Sequence, residues 1–158
     1  MLSSDFSVSK HISLTITSCA QSLYALRTLR AHGMSDELLH SVFKASTLSK
    51  LLYASPVWWG FASAGDRDRL EAFIRKAVRS HFYIMGSPTF EAQCSLADTR
   101  LFKAITVNPD HVLNRCLPPK TSHKYDMRPR AHKYVLPLKR TSLDECNFIT
   151  RMLFKNLF

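Results

Sequence analysis

Arg75, Lys76 and Arg79 are the residues with the clearest chemistry in this sequence. At 100° per residue in a helix they project within about 100° of one another, a compact cationic face suited to phosphate oxygens. A second set follows in 114–140, which holds eight basic residues and one acidic one. There Lys124, Arg128, Arg130 and Lys133 are interleaved with Tyr125, His132 and Tyr134. Cations alternating with flat rings suit phosphate pairing together with stacking on bases. The competing readings are a solvated helix face and a basic loop wrapped over the helices.

Catalytic signatures are missing. Metal-assisted phosphoryl or nucleotidyl transfer needs carboxylates that converge on one or two divalent ions. Asp66 and Asp68 lie on opposite sides of one helical turn beside Arg67 and Arg69, which favours structural ion pairs. Pro109-Asp110-His111 lacks a following acidic-x-Lys pattern, and neither a phosphate-cradling G-x-x-x-x-G-K loop nor a G-x-S-x-G elbow occurs. Cys19, Cys94, Cys116 and Cys146 show no C-x-x-C pair, and His123 and His132 sit at no zinc-site distance from Cys116. Buried thiols, with no metal and no cofactor, are the expectation.

The elements that must position these residues read as helices. Residues 9–32 place Ile12, Ile16, Cys19, Ala20, Leu23 and Leu26 on one stripe, with Gly33 as the residue just past the helix end. Ser35 opens a second helix over about 36–55, with Leu38, Leu39, Val42, Phe43, Leu52 and Tyr53 as its apolar positions. It ends before Pro56, leaving Val57-Trp58-Trp59-Gly60-Phe61 as an aromatic hinge in which the two Trp side chains pack a core. Ser63 to Asp66 has capping-box spacing and opens a helix over about 66–82, with Leu70, Phe73, Ile74, Ala77 and Val78 inward. Further starts are read at Ser95-x-x-Asp98, at Asn108-Pro109, and at Ser142-x-x-Glu145 before a last helix over about 143–157. That helix carries Leu143, Cys146, Ile149, Met152, Leu153 and Leu157 along one side. Five of the seven prolines lie in 109–137, so 117–141 is expected to be an extended arm. No run alternates long enough for a strand.

At 158 residues the chain is large enough to bury a core but too short for a polymerase or kinase. Lys plus Arg outnumber Asp plus Glu by 22 to 12, and the excess is +3 in 1–113, +7 in 114–140 and 0 in 141–158. A polyanion is the first partner to consider, nucleic acid above all. With no apolar run near membrane-spanning length and no signal-like start, the expectation is an intracellular protein, nuclear or cytoplasmic.

An ordered series of segments resembles the C-terminal part of reverse transcriptases from non-long-terminal-repeat retrotransposons of the jockey-like kind. It comprises 5–11 (DFSVSKH), 23–33 (LYALRTLRAHG), 53–61 (YASPVWWGF), Asp66-Arg67 with the Arg-rich helix, Leu117-Pro118-Pro119, 125–130 (YDMRPR) and 147–155 (NFITRMLFK). The resemblance implies a thumb-like helical bundle in 1–83 and a C-terminal tail in 84–158 that carries the basic arm. The implied fold class is mainly α: a bundle, then short helices, the arm and a C-terminal helix. The implied activity is sequence-tolerant grip on RNA, DNA or an RNA-DNA hybrid, with the palm domain of such a polymerase as a further partner. The family's catalytic carboxylates have no counterpart here, so the chain is expected to be a truncated product that does not polymerise. The alternative is a protein-interaction or structural remnant whose apolar faces once packed on the missing palm.

Overall fold

The computed structural model describes residues 8–120 and 132–155 and is mainly helical, with no strand among them. Helix α1 (Ser9–Ala31) is long but poor in helix formers. Its hydroxyls are satisfied within the helix without strengthening it: Ser13, Thr15, Thr17, Ser22 and Thr28 each donate to the carbonyl four residues back. Packing holds the helix, through buried Ile12, Cys19, Leu23 and Leu26. Ala20, expected on that stripe, is exposed, because it lies about 80° round the helix from Ile12. At the end Gly33, at φ 87°, donates to Arg30 and Met34 donates to Leu29, the paired bonds of a Schellman stop.

The second predicted helix is three pieces. Helix α2 (Asp36–Val42) runs into a π-helical stretch, Phe43–Leu48, and then α3 (Ser49–Leu52). Thr47 in the π stretch is fully buried, with the Cys19 thiol donating to its carbonyl at 3.7 Å. Leu39, Phe43 and Leu51 reach the core, whereas Leu38 and Tyr53 stay exposed. Pro56 does not follow a long helix; it stands in the first turn of α4 (Ser55–Trp58), where a missing N–H costs nothing. The expected hinge is accordingly two short helical turns, α4 and the 3₁₀ turn Trp59–Phe61. Trp58 and Trp59 are both buried against Phe90, with ring centroids 6.4 and 5.7 Å from it.

Helix α5 (Ala64–Arg79) buries Leu70, Phe73, Ile74 and Ala77. Helix α6 (Phe90–Val107) starts earlier than the sequence suggests, because Thr89 accepts from the Ala92 N–H and caps it. Ser95 is therefore inside the helix and Asp98 is buried by it. The start read at Asn108-Pro109 is also corrected. Asn108 ends α6 and accepts from the Asp110 N–H, Asn114 donates back to the Ile105 carbonyl, and only the 3₁₀ turn Asn114–Cys116 follows. The last helix is broken in two, α7 (Ser142–Cys146) and α8 (Phe148–Phe154). Thr141 with Asp144, one residue before the expected pair, forms the capping box, and Asn147 interrupts the helix by accepting from both Ile149 and Thr150. Leu143 is half exposed as a result, while Met152 and Leu153 are buried.

One apolar cluster runs from Val8 to Cys94, so the helices on both sides of residue 83 share a core. Arg151 of α8 locks the C-terminal segment to it. Its guanidinium donates to the Asp98 carboxylate at 2.7 Å, to the Pro56 carbonyl at 3.2 Å and to the Cys146 carbonyl at 3.3 Å. Gly60 makes that contact possible: a Cβ there would press into the Cys146 carbonyl and stand 2.8 Å from Arg151 Nε. Cys19 and Cys94 are buried as expected, but Cys116 is exposed and Cys146 half-buried. Burial pushes the Cys94 thiol up to about 12 and raises that of Cys19, so both stay protonated packing residues.

Candidate nucleic-acid interface

Helix α5 carries the first cationic set. The Ser63 hydroxyl accepts from the Asp66 N–H at 3.2 Å and donates to the Asp66 carboxylate at 2.8 Å, fixing where the helix starts. Asp66 is buried and also receives the Ser9 hydroxyl and Arg69. Burial works to raise its pKa, but the hydrogen bonds from Ser9 and Ser63 and the Arg69 charge outweigh it and hold the carboxyl below its ordinary value.

With α5 anchored at that end, its apolar stripe turns inward and Arg75, Lys76 and Arg79 are all exposed. Arg75 and Arg79 border a groove of about 350 Å³ between α5 and the 83–89 loop, together with Ile74, Val78, Tyr83, Ile84 and Pro88. Glu71 lies in the same groove, where its carboxylate accepts from the Glu91 N–H at the start of α6. Lys76 and Arg79 also occupy the last turn of α5, where positive charge stabilises the helix dipole.

The far end of α5 is held by a residue the sequence did not point to. Arg30 of α1 donates to the Ser80 and His81 carbonyls at 2.8 and 2.9 Å and lies 4.4 Å above the Phe82 ring. His81 has φ 54° and closes a second Schellman stop, with its own N–H on Val78 and that of Phe82 on Ala77. The cationic face is thus held rigidly at both ends.

Of the second set, Lys124, Tyr125, Arg128 and Arg130 lie outside the described residues. His132 and Lys133 are described, at the returning end of the arm. That end is paired with the outgoing one through a Lys120 to Tyr134 bridge and a Val135 N–H bond to Pro119 at 2.9 Å. The Tyr134 N–H donates to His132 Nδ1, so Nε2 carries the proton given to the Leu153 carbonyl at 2.8 Å. Both imidazole nitrogens therefore serve the fold, and the ring packs between Phe102 and Tyr134.

His132 and Lys133 border a separate groove of about 410 Å³, which shares no lining residue with the one beside α5. Among the described residues no three His, Cys, Asp or Glu side chains gather as metal ligands would. No described helix is long and apolar enough to cross a membrane.

The chain matches no family model, no curated protein and no solved structure. The geometry has to carry the functional reading. Sequence reasoning missed Lys103 and Lys120, which border the second groove with Lys133. The signal was present as Thr99, Phe102, Lys103 and Thr106, spaced i, i+3, i+4 and i+7 along one face of α6.

Proposed function

We propose that this chain is a nucleic-acid-binding module of the thumb and C-terminal kind found in non-long-terminal-repeat retrotransposon reverse transcriptases. In this reading it grips template-primer nucleic acid by its phosphates and does not polymerise by itself. The exposed trio of Arg75, Lys76 and Arg79 on a helix fixed at both ends carries the reading. A face of that kind meets phosphates at regular spacing without reading base edges, so RNA, DNA and hybrid duplexes are all bound, in nucleus or cytoplasm. The net charge of +10 adds a long-range attraction.

The test is fluorescence anisotropy of a labelled hybrid duplex over a salt series, with the native chain and with R75E/K76E/R79E. Loss of three phosphate contacts flattens the log-log salt slope by roughly 2.7, at about 0.9 per contact. Equal affinity and equal slope for the two proteins would sink the proposal.

A second reading, an interaction or structural remnant that once packed on a palm domain, is expected to use the stripe of Ile12, Ile16 and Leu23 and the Trp58-Trp59 pair, but these pack in the chain's own core, which leaves it the exposed apolar side chains. Leu14, Tyr24, Tyr53 and Val57 are each more than half exposed. Light scattering separates the readings: a monomer that binds duplex favours the first, and self-association without duplex binding favours the second.

A further inference from the structure

The run 137–143 (PLKRTSL) is exposed at every residue, and 135–140 has neither helix nor strand. Pro137 keeps the residue before it out of the helical region. Thr141, at φ −136° and ψ 160°, is still extended, and α7 begins only at Ser142. A serine hydroxyl thus stands at the end of an extended, solvent-facing lead.

The side chains around Ser142 form an ordered set. Lys139 and Arg140 lie three and two residues before it, and Leu143, 48% exposed, follows directly. A cleft that takes up this run as a strand meets two cations, then the hydroxyl, then an apolar group. Lys139 pairs with Glu145 at 3.5 Å, but a pair as exposed as this contributes little, so an acidic cleft can take the ammonium over. Helix α7 has five residues and buries none of them, so its first turn opens at little cost to admit Leu143 as well.

Neighbouring groups are committed elsewhere. The Thr141 hydroxyl accepts from the Asp144 N–H and donates to the Asp144 carboxylate, which belongs to the capping box. Ser80, which follows Arg79, sits at the end of α5 with its carbonyl held by Arg30. The two carboxylates that follow Ser142 are also engaged: that of Asp144 receives the Arg140 and Thr141 N–H groups, and that of Glu145 faces Lys139. The recognisable charge is therefore the positive one that precedes the serine.

We propose that Ser142 is a phosphorylation site for basophilic serine/threonine protein kinases, which select lysine and arginine through acidic residues lining the substrate cleft. In the transfer, Ser142 Oγ bonds to the γ-phosphorus of ATP and the bond from that phosphorus to the β–γ bridging oxygen breaks. ADP leaves with the electron pair, and the hydroxyl proton passes to the catalytic aspartate of the kinase. The phosphoserine carries about −1.5 to −2 at neutral pH and brings the net charge of +10 down to about +8. The inference is independent of the nucleic-acid reading above.

The experiment incubates the full-length native chain, S142A and K139A/R140A with magnesium, ATP and the catalytic subunit of the cyclic-AMP-dependent protein kinase, and in parallel with an acidophilic casein kinase. Tandem mass spectrometry locates the phosphate. All three substituted side chains are exposed, so thermal midpoints at the native value verify folding. The basophilic kinase should modify Ser142 in the native chain, and S142A should lose that site. Loss of two charge-assisted contacts should lower kcat/KM for K139A/R140A by more than about tenfold. Absence of phosphate on Ser142, equal kcat/KM for the native chain and K139A/R140A, or modification of Ser142 by the acidophilic kinase alone would each overturn the proposal.

Discussion

Replacing Gly60 by Ala tests whether the C-terminal helices truly pack on the Trp59–Phe61 turn. The backbone at Gly60 is not in the left-handed region, so room and not conformational freedom is at issue. The added methyl would press into the Cys146 carbonyl oxygen and stand 2.9 Å from its carbon and 2.8 Å from Arg151 Nε. The carbonyl oxygen is the tightest of the three contacts, and relieving it requires α7 and α8 to retreat by roughly an ångström or more. Overpacking alone costs about 1–3 kcal/mol. The same movement stretches the Arg151 bonds to the Pro56 carbonyl and the Asp98 carboxylate, now 3.2 and 2.7 Å, adding roughly 1 kcal/mol. A total near 3 kcal/mol corresponds to a midpoint lower by roughly 6–12 °C for a chain of this size.

Gly65→Ala is the matched control. Nothing lies within 4 Å of its would-be Cβ, and it sits inside α5, so the change should stabilise by about 0.5–1 kcal/mol. Calorimetry and urea unfolding of the two variants read the difference directly. Equal midpoints for Gly60→Ala and the native chain would refute the packing of α7 and α8 described here.

Arg151→Met leaves the buried Asp98 carboxylate without its counter-charge and should cost about 3–5 kcal/mol in urea unfolding, with Asp98→Asn restoring part of the loss in the double variant. His81→Gly relieves a positive φ at an exposed side chain while keeping the carbonyls that Arg30 holds, and should raise the thermal midpoint by roughly 1–2 °C. Asp66 and Asp144 both have pKa values lowered by folding, so their contribution is complete above the unfolded carboxyl value near 4 and is lost as pH falls below it. Stability measured by urea unfolding should therefore drop as pH falls below about 4, and Asp66→Asn should make that drop shallower while costing about 1–2 kcal/mol at neutral pH.

Residues that stabilise their own helix were legible in the sequence. Gly33 ends α1 and Ser63 caps α5 as their local chemistry dictates, and the inward stripe of α5 follows from its period alone. Elements defined by distant partners were not. Asp98 reads as a cap partner for Ser95, yet its ligand is Arg151, 53 residues away. Thr89, a weaker cap in isolation, prevails because starting α6 there carries Phe90 onto the two Trp rings. The π stretch at Phe43–Leu48 carries no residue signature, since it serves the fit of Thr47 against α1. The α5 trio was visible for the same local reason as its stripe, whereas the Lys103 and Lys120 groove exists only because the arm returns to α6.

The Asp98 to Arg151 separation also sets an order of events during synthesis. At 5–20 residues per second the 53 residues between them take roughly 3–10 s to add. Throughout that interval the Asp98 carboxyl lacks the guanidinium that receives it, so burying it against α4 is unfavourable. Docking of α6 and docking of α8 are therefore coupled, since each supplies the charge that the other must bury.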